Sequence, residues 1–121
     1  MDFEVYKNKA LRTADFKGLS LNSVEVQLMC GAIGMASETG EALDHIKKWA
    51  FQEHDLDEEL LIEEAGDVLW YWAIFCDALQ KLFDCSVSEI TEYNIDKLLK
   101  RYPNGFEPDR SINREENHEQ G

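Results

Sequence analysis

Four carboxylates in two short motifs offer the clearest chemistry in this sequence. Glu38 and Glu41 belong to the segment Glu-Thr-Gly-Glu, and Glu64 and Asp67 belong to the segment Glu-Ala-Gly-Asp. The members of each pair are three residues apart. In a helix, with about 100° of rotation per residue, both side chains of a pair lie on one face, one turn apart. We therefore expect each pair to act as a unit.

A solvated acidic surface is the plainest explanation for paired glutamates in an acidic protein. The neighbours of Glu64 argue against it, because Leu60 on the preceding turn and Val68 and Tyr71 on the following turns place it inside an apolar stripe. Glu38 has small and apolar neighbours on its own face in the same way. If the two helices pack antiparallel through these stripes, we expect the four carboxylates to meet in a partly dry groove.

Carboxylates gathered in one groove repel each other, so protons or divalent cations must offset their charge. Ligands that are all oxygen suit Mg²⁺ or Mn²⁺ better than Zn²⁺. A di-iron site of the ferritin type is disfavoured, because it pairs Glu with a His three residues later. The nearest histidine, His45, follows Glu41 by four residues. The acid pairs therefore predict a site for Mg²⁺ or Mn²⁺.

Long helices must position these acids, and the sequence marks where they begin. Apolar residues at helical spacing predict helices over residues 24–51, 60–83 and 87–102, and a weaker helix over residues 2–13. A capping box precedes each of the three stronger helices: Asn22 with Glu25, Asp55 with Glu58, and Ser86 with Glu89. No strand-type alternation is present. We predict an all-α fold, a helical bundle of about four helices per chain.

The third predicted helix is apolar on every side over residues 68–76. A helix that is hydrophobic all round must be covered all round, which three other helices of one small domain achieve with difficulty. We therefore expect the core to be completed by oligomerisation through this helix. The alternative is a deep central helix in a monomer.

Three glycines interrupt the second predicted helix. Gly31, Gly34 and Gly40 each cost a helix about 1 kcal/mol relative to alanine. Close packing of another helix against all three is the expected reason.

Composition limits the kind of partner. The 121 residues suit one domain, which we place at residues 1–110, followed by a polar and mobile tail at 111–121. A formal net charge of -13 opposes binding to nucleic acid polymers or anionic membranes. Three cysteines without metal-type spacing indicate reduced thiols, and no membrane span or signal segment is legible, so we expect a cytoplasmic protein.

The order of the acids is also distinctive. The pattern E-x-x-E, then 22 residues, then E-x-x-D resembles the signature of the MazG-like all-alpha nucleoside triphosphate pyrophosphohydrolases. The resemblance extends over about residues 28–114 and is to the short single-domain members of the family in bacteria and phages. It includes the stretches SETGEALDHIKK, EELLIEEAGDVLWYWA, YNIDKLLKRYPNGF and SINR.

This resemblance implies an activity and a metal site. The expected reaction is Mg²⁺-dependent hydrolysis of (d)NTP to (d)NMP and pyrophosphate, in the housekeeping of nucleotide pools. The catalytic and metal-binding residues that it implies are Glu38, Glu41, Glu64 and Asp67. Mg²⁺ held there would bridge the triphosphate and activate a water for attack at the alpha phosphorus. One of the four acids could also be the general base, and the resemblance does not indicate which.

Basic residues must meet the phosphates. The resemblance points to Lys48 near the end of the second predicted helix. On the fourth predicted helix, Asn94, Lys97 and Arg101 are spaced at i, i+3 and i+7 and form one polar stripe, which we expect to bind substrate. The alternative for these basic side chains is a favourable interaction with the dipole at a helix C-terminus.

Two other functions remain open. One is a metabolic enzyme similar to phosphoribosyl-ATP pyrophosphohydrolase, which has a related acid signature. The other is a non-catalytic helical module for dimerisation or regulation. For the preferred function we expect a nucleoside triphosphate substrate and a homo-oligomer, either dimer or tetramer.

Overall fold

The computed structural model describes residues 1–14 and 23–113, which contain five helices and no β-strand. The helices are α1 (Phe3–Leu11), α2 (Val24–Phe51), α3 (Glu58–Phe83), α4 (Val87–Arg101) and α5 (Pro108–Ile112). The prediction of an all-α fold is confirmed. Within the described ranges, no helix is both long and apolar enough to cross a bilayer. The chain divides into two compact units, Met1–Ser86 and Val87–Gly121.

The two long helices begin slightly later than two of the capping boxes predict. The side chain of Ser23 caps α2 by accepting a hydrogen bond from the Val26 amide at 3.3 Å, whereas the predicted cap, Asn22, is outside the described residues. Asp57, not Asp55, caps α3, with its Oδ1 accepting from the Leu60 amide at 3.1 Å. An aspartate at either position could cap a helix, so the choice depends on where the chain leaves α2.

Helices α2 and α3 pack antiparallel and form the centre of the first unit. A Cβ placed on Gly31 would lie 2.7 Å from the Phe75 backbone nitrogen, and one on Gly34 would lie 2.0 Å from the Tyr71 ring. Both glycines are buried, so close packing explains them as predicted. Outside its own helix, no described residue lies within 4 Å of a Cβ placed on Gly40, so packing within the described part of the chain does not explain this glycine.

Helix α1 covers much of the apolar run on α3. The Trp70 indole nitrogen donates a hydrogen bond to the Thr13 hydroxyl at 2.8 Å, and the Phe3 and Trp72 rings meet edge to face at 5.3 Å. With α2 on another side of α3, this contact leaves Ile74 fully buried. Helices α1 and α2 of the same chain thus cover surface of α3 that we expected another subunit to cover. Self-association stays a prediction.

A partly buried polar network joins α2 to the second half of α3. Gln27, on α2, donates from Nε2 to the Ile74 carbonyl at 3.1 Å and to the Asp77 carboxylate at 2.7 Å. Lys81 donates to the Gln27 side-chain oxygen at 2.9 Å and pairs with Asp77 at 2.9 Å. Burial disfavours the charged form of Asp77, but the hydrogen bonds from Gln27 and Lys81 outweigh it and lower the pKa of that carboxyl.

The Asp77 carboxylate is expected to make the free energy of unfolding depend on pH. Because its pKa is lower in the folded state than in the unfolded chain, its contribution is complete above about pH 4 and disappears as pH falls through the folded-state pKa. We expect Asp77→Asn to lower the free energy of unfolding by about 1–2 kcal/mol at pH 7. Urea unfolding of the wild type and Asp77→Asn from pH 7 to pH 3 should show that their difference in free energy of unfolding becomes smaller as the pH falls.

Asp96→Asn is the control, since it alters an exposed carboxylate on α4. A difference between the wild type and Asp77→Asn that stays constant down to pH 3 would show that the charge of Asp77 does not stabilise the fold.

The second unit contains α4 and the short α5. Helix α4 begins directly after Ser86, as the third capping box predicts. Arg110, on α5, donates hydrogen bonds to the backbone carbonyls of Arg101 and Lys100, the last two residues of α4. Carbonyls in the last turn of a helix have no amide donor within that helix. Residues 111 and 112 belong to α5, and the domain boundary at residue 110 stays a prediction. Of the predicted tail, residues 114–121 are outside the described residues.

Candidate active site

Three of the four predicted acids come together between α2 and α3. Glu38 and Glu41 lie one turn apart on α2, and Glu64 lies opposite them on α3. Each contributes one carboxylate oxygen to a group in which all three oxygens lie within 4.8 Å of one another. The antiparallel packing produces this arrangement, because Gly34 lets the Tyr71 ring approach α2 one turn away from Glu38.

Burial differs among the three acids. Glu64 is only 8% exposed, and its Oε2 is buried with no hydrogen-bond partner among the described residues. Glu38 is half-buried and Glu41 is exposed, so the group opens to solvent on the side of Glu41. A buried carboxylate oxygen without a partner is costly. A proton or a cation at Glu64 removes that cost.

The raised pKa of Glu38 also indicates that the three-carboxylate group favours a bound proton or cation. A hydrogen bond with Glu64, partial burial and the nearby carboxylate of Glu41 raise the pKa of Glu38 to about 7. The group therefore retains a proton at a pH where an isolated glutamate has lost it. A divalent cation bound by the three carboxylates would displace that proton.

The donor set fits a hard divalent cation. The three ligand atoms are all carboxylate oxygens, which are the ligands that Mg²⁺ and Mn²⁺ prefer, and no nitrogen or sulfur ligand from the described residues joins the group. The unpartnered Oε2 of Glu64 supplies an oxygen that the protein itself leaves unused. The group could therefore hold a metal ion, and its residues fit the expected Mg²⁺.

Comparison with known protein families identifies the family of the chain. Residues 32–106, well over half of the chain, match the model of the MazG nucleotide pyrophosphohydrolase domain. The chain belongs to the MazG nucleotide pyrophosphohydrolase family. Membership implies an enzyme of this class, whose members generally depend on a metal. Comparisons with curated proteins and with solved structures returned no match.

The fourth predicted acid of the MazG domain, Asp67, is not part of the three-carboxylate group. It is exposed on α3, one turn after Glu64. Its charge acts on two tyrosines: burial and the charge of Asp67 raise the pKa of Tyr6, and burial, Cys30 and nearby carboxylates including Asp67 raise that of Tyr71. The role of Asp67 as a metal ligand stays a prediction.

Sequence reasoning placed Tyr71 beside Glu64 but missed Tyr6 as a neighbour of the MazG acids. Tyr71 follows Glu64 by seven residues, a spacing that places both on one face of α3, as the periodicity predicted. No periodicity in the sequence links Tyr6 to the acids. It is on α1, outside the family match, and only the packing of α1 on α3 brings it close to Asp67.

The predicted phosphate-binding residues fall into two groups. Lys48 is on the last turns of α2 of the MazG domain, where its ammonium pairs with Asp44 at 2.9 Å. Hydrogen bonds from Lys48 and Lys47 lower the pKa of Asp44 to about 2. The three remaining residues are on α4 in the second unit, two of them exposed and the third half-buried: Asn94, Lys97 and Arg101. Their role stays a prediction.

Proposed function

We propose that this chain is an Mg²⁺-dependent nucleoside triphosphate pyrophosphohydrolase that converts (d)NTP and water to (d)NMP and pyrophosphate. The observation that carries the proposal is that Glu64, whose buried Oε2 has no hydrogen-bond partner among the described residues, has a carboxylate oxygen within 4.8 Å of those of Glu38 and Glu41. A solvated acidic patch has no reason to leave a carboxylate oxygen buried and unsatisfied.

One set of residues would bind the metal, and another would bind the phosphates. Glu38, Glu41 and Glu64, with Asp67 as a fourth candidate, would hold Mg²⁺ where α2 and α3 meet. Bound Mg²⁺ supplies neutralisation of phosphate charge and activation of a water. Water attacks the alpha phosphorus, the bond from that phosphorus to the bridging oxygen breaks, and pyrophosphate leaves with the electron pair.

We also propose that basic side chains bind the triphosphate. Lys48 is on the same helix as Glu41 and can exchange its ion pair with Asp44 for a phosphate oxygen. On α4, Asn94, Lys97 and Arg101 form a polar stripe with two positive charges in a chain of net charge -13. Charge-assisted hydrogen bonds from such groups to phosphate are among the strong ones.

The proposal places the protein in the cytoplasm as a homo-oligomer. No disulfide occurs among the cysteines of the described chain, which suits a reducing compartment. The strongly negative charge suits a small anionic substrate delivered with a cation, and it opposes nucleic acid polymers.

The deciding experiment is product identification. The protein should be incubated with Mg²⁺ and a panel of canonical and modified NTPs and dNTPs, and with phosphoribosyl-ATP, and the products separated by ion-exchange chromatography. We expect nucleoside monophosphate and pyrophosphate, and no turnover after EDTA. Nucleoside diphosphate and orthophosphate, or activity that resists EDTA, would refute the mechanism. Turnover of phosphoribosyl-ATP alone would favour the metabolic enzyme, and no turnover at all would favour the non-catalytic module.

Lys97 and Arg101 offer a kinetic test of the phosphate-binding proposal. We expect Lys97→Ala and Arg101→Ala each to reduce kcat/KM by about tenfold or more, because a charge-assisted hydrogen bond to phosphate is lost. Their melting temperatures should change little, since Lys97 is exposed and Arg101 is only partly buried. Lys100→Ala removes one positive charge from the same helix and serves as the control. Wild-type kinetic constants in both variants would show that Lys97 and Arg101 are solvated surface residues that do not bind the phosphates.

A further inference from the structure

Helix α1 lies outside the part of the chain that matches the MazG family, and the proposed reaction gives it no task. The match begins at residue 32, whereas α1 ends at Leu11. Nevertheless α1 packs on α3, the helix that carries Glu64 and Asp67. A side chain on the inner face of α1 is therefore a candidate for a part in the site.

Contacts near both ends of α1 fix it on α3. Thr13 accepts the indole hydrogen bond of Trp70 at 2.8 Å, and its own hydroxyl donates to the Ala10 carbonyl at 2.7 Å, which holds the threonine in place. At the beginning of α1, the Phe3 ring meets the Trp72 ring edge to face at 5.3 Å. These contacts determine which face of α1 is turned towards α3.

A buried lysine anchors the middle of α1. The Lys7 side chain is only 3% exposed, and its ammonium pairs with Glu4 at 2.8 Å and donates a hydrogen bond to the Gln80 side chain on α3. A lysine is rarely buried to this extent unless its charge is paired. Because one of its partners is on α3, the satisfaction of this charge depends on α1 staying in place.

Tyr6 is on the α1 face that these contacts turn towards α3. It precedes Ala10 by four residues and Thr13 by seven, spacings that place all three on one face of the helix. On α3, Asp67 precedes Trp70 by three residues, so it lies one turn from the side chain that Thr13 contacts. The face of α1 with Tyr6 thus meets the face of α3 with Asp67.

The electrostatics of Tyr6 agree with this placement. Burial and, after it, the charge of Asp67 raise the pKa of Tyr6 above its ordinary value. The phenol therefore keeps its proton at neutral pH and is a hydrogen-bond donor. An ionised carboxylate only accepts hydrogen bonds, so a donor and an acceptor stand on facing helices beside the three-carboxylate group.

Asp67 lacks the packing that restrains the other acids. Glu64 is buried and Glu38 is half-buried, so their surroundings limit where each carboxylate can lie. Asp67 is exposed, and its carboxylate is outside the three-carboxylate group. An exposed side chain loses rotamer freedom when it binds a metal, and that loss opposes binding. A donor that orients the carboxylate beforehand reduces the loss.

We propose that Tyr6 is a positioning residue of the active site, whose hydroxyl donates a hydrogen bond to the Asp67 carboxylate and orients it towards the three-carboxylate group as a fourth ligand for Mg²⁺. This inference rests on the proposed function, because it gives Tyr6 a task only if the acids bind Mg²⁺. It makes α1 part of the site, although the family match begins after this helix.

Tyr6→Phe tests the proposal, because it removes the hydroxyl and keeps the ring. We expect Mn²⁺ binding, measured by calorimetry, to weaken by about tenfold or more, and the Mg²⁺ concentration for half-maximal turnover to rise by a similar factor. KM for the nucleotide at saturating Mg²⁺ should change little. Tyr93→Phe is the matched control, because it removes a hydroxyl from a tyrosine on α4 that is 76% exposed. It should bind Mn²⁺ like the wild type.

A double-mutant cycle tests whether Tyr6 acts through Asp67. In an Asp67→Ala background, Tyr6→Phe should have no further effect on Mn²⁺ binding, because the acceptor is gone. If Asp67→Ala binds no Mn²⁺, the same cycle is measured on metal-free urea unfolding, where the two substitutions should be non-additive. Equal losses in both backgrounds, or wild-type Mn²⁺ binding by Tyr6→Phe, would overturn the role of Tyr6.

The measurements separate failure of this inference from failure of the proposed function. A wild type that binds Mn²⁺ but hydrolyses no nucleotide would refute the reaction, and the cycle would still decide on Tyr6. A wild type that hydrolyses nucleoside triphosphates, with a Tyr6→Phe variant of equal Mg²⁺ dependence, would refute the role of Tyr6 alone. A wild type that binds neither Mn²⁺ nor Mg²⁺ would overturn both.

Discussion

Glu64→Gln should lower kcat by about 10²-fold or more with Mg²⁺ and a nucleoside triphosphate as substrate. Glu64 is the most buried of the three clustered acids, and its unpartnered Oε2 is the oxygen that the proposed Mg²⁺ would use. The amide removes the charge and keeps the shape. Because it also relieves repulsion with Glu38 and Glu41, the melting temperature should stay the same or rise.

The matched control is Glu63→Gln, which makes the same chemical change at the next residue, on the exposed side of α3. It should retain wild-type kinetics. Glu38→Gln and Glu41→Gln should resemble Glu64→Gln, because all three oxygens belong to one group. An active Glu64→Gln enzyme with normal Mg²⁺ dependence would show that the group is not the catalytic metal site.

Asp67→Asn separates the family resemblance from the geometry. The resemblance implies that Asp67 binds metal like the other three, whereas the structure places it outside their group and near Tyr6 and Tyr71. A loss of activity as large as that of Glu64→Gln would mean that Asp67 joins the group when metal and substrate bind. A small loss would limit it to positioning its tyrosine neighbours.

Gly31→Ala should destabilise the fold, because the added methyl group meets the backbone of α3. The new Cβ would lie 2.7 Å from the Phe75 backbone nitrogen and 2.8 Å from its Cα. Backbone atoms in the middle of a helix cannot move aside alone, so α2 and α3 must separate. Overpacking of this kind costs about 1–3 kcal/mol or more, which outweighs the gain in helix propensity.

Gly66→Ala is the control for this prediction. No described atom lies within 4 Å of a Cβ placed on Gly66, so the substitution should raise the free energy of unfolding by about 0.5–1 kcal/mol. Urea unfolding of the two variants beside the wild type makes the comparison. A Gly31→Ala protein as stable as the wild type would show that the helices tolerate a wider separation than the packing indicates.

The separation of α2 and α3 also matters for the site. Glu38 and Glu64 belong to different helices, and their hydrogen bond depends on the distance that Gly31 and Gly34 allow. We therefore expect Gly31→Ala to lose activity even where the fold survives. The glycines of the helix contact and the acids of the groove are parts of one arrangement.

Much of this arrangement is legible in the sequence, because it depends on local periodicity. The three-residue spacing of Glu38 with Glu41 puts both on one face of a helix, whatever the helix packs against. The apolar neighbours of Glu64 predicted that it points towards the core, and it is buried. The all-α fold, the extent of α2 and α3 and the start of α4 were predictable for the same reason.

Only the tertiary structure decided how those faces meet. The sequence gives Gly31, Gly34 and Gly40 the same local cost, but packing accounts for the first two alone, because the third faces away from α3. Asp67 has the same spacing from Glu64 as Glu41 has from Glu38, yet it stays outside the group.

The cover over α3 shows the limit of local patterns most directly. The run of residues 68–76 indicated that α3 needs cover, but it contained no information about which surface supplies it. Docking of α1 answered that question and brought Tyr6 to Asp67 across more than fifty residues of chain. Periodicity reports which face of a helix avoids water, whereas the choice of partner for that face depends on shapes and distances that only the folded chain brings together.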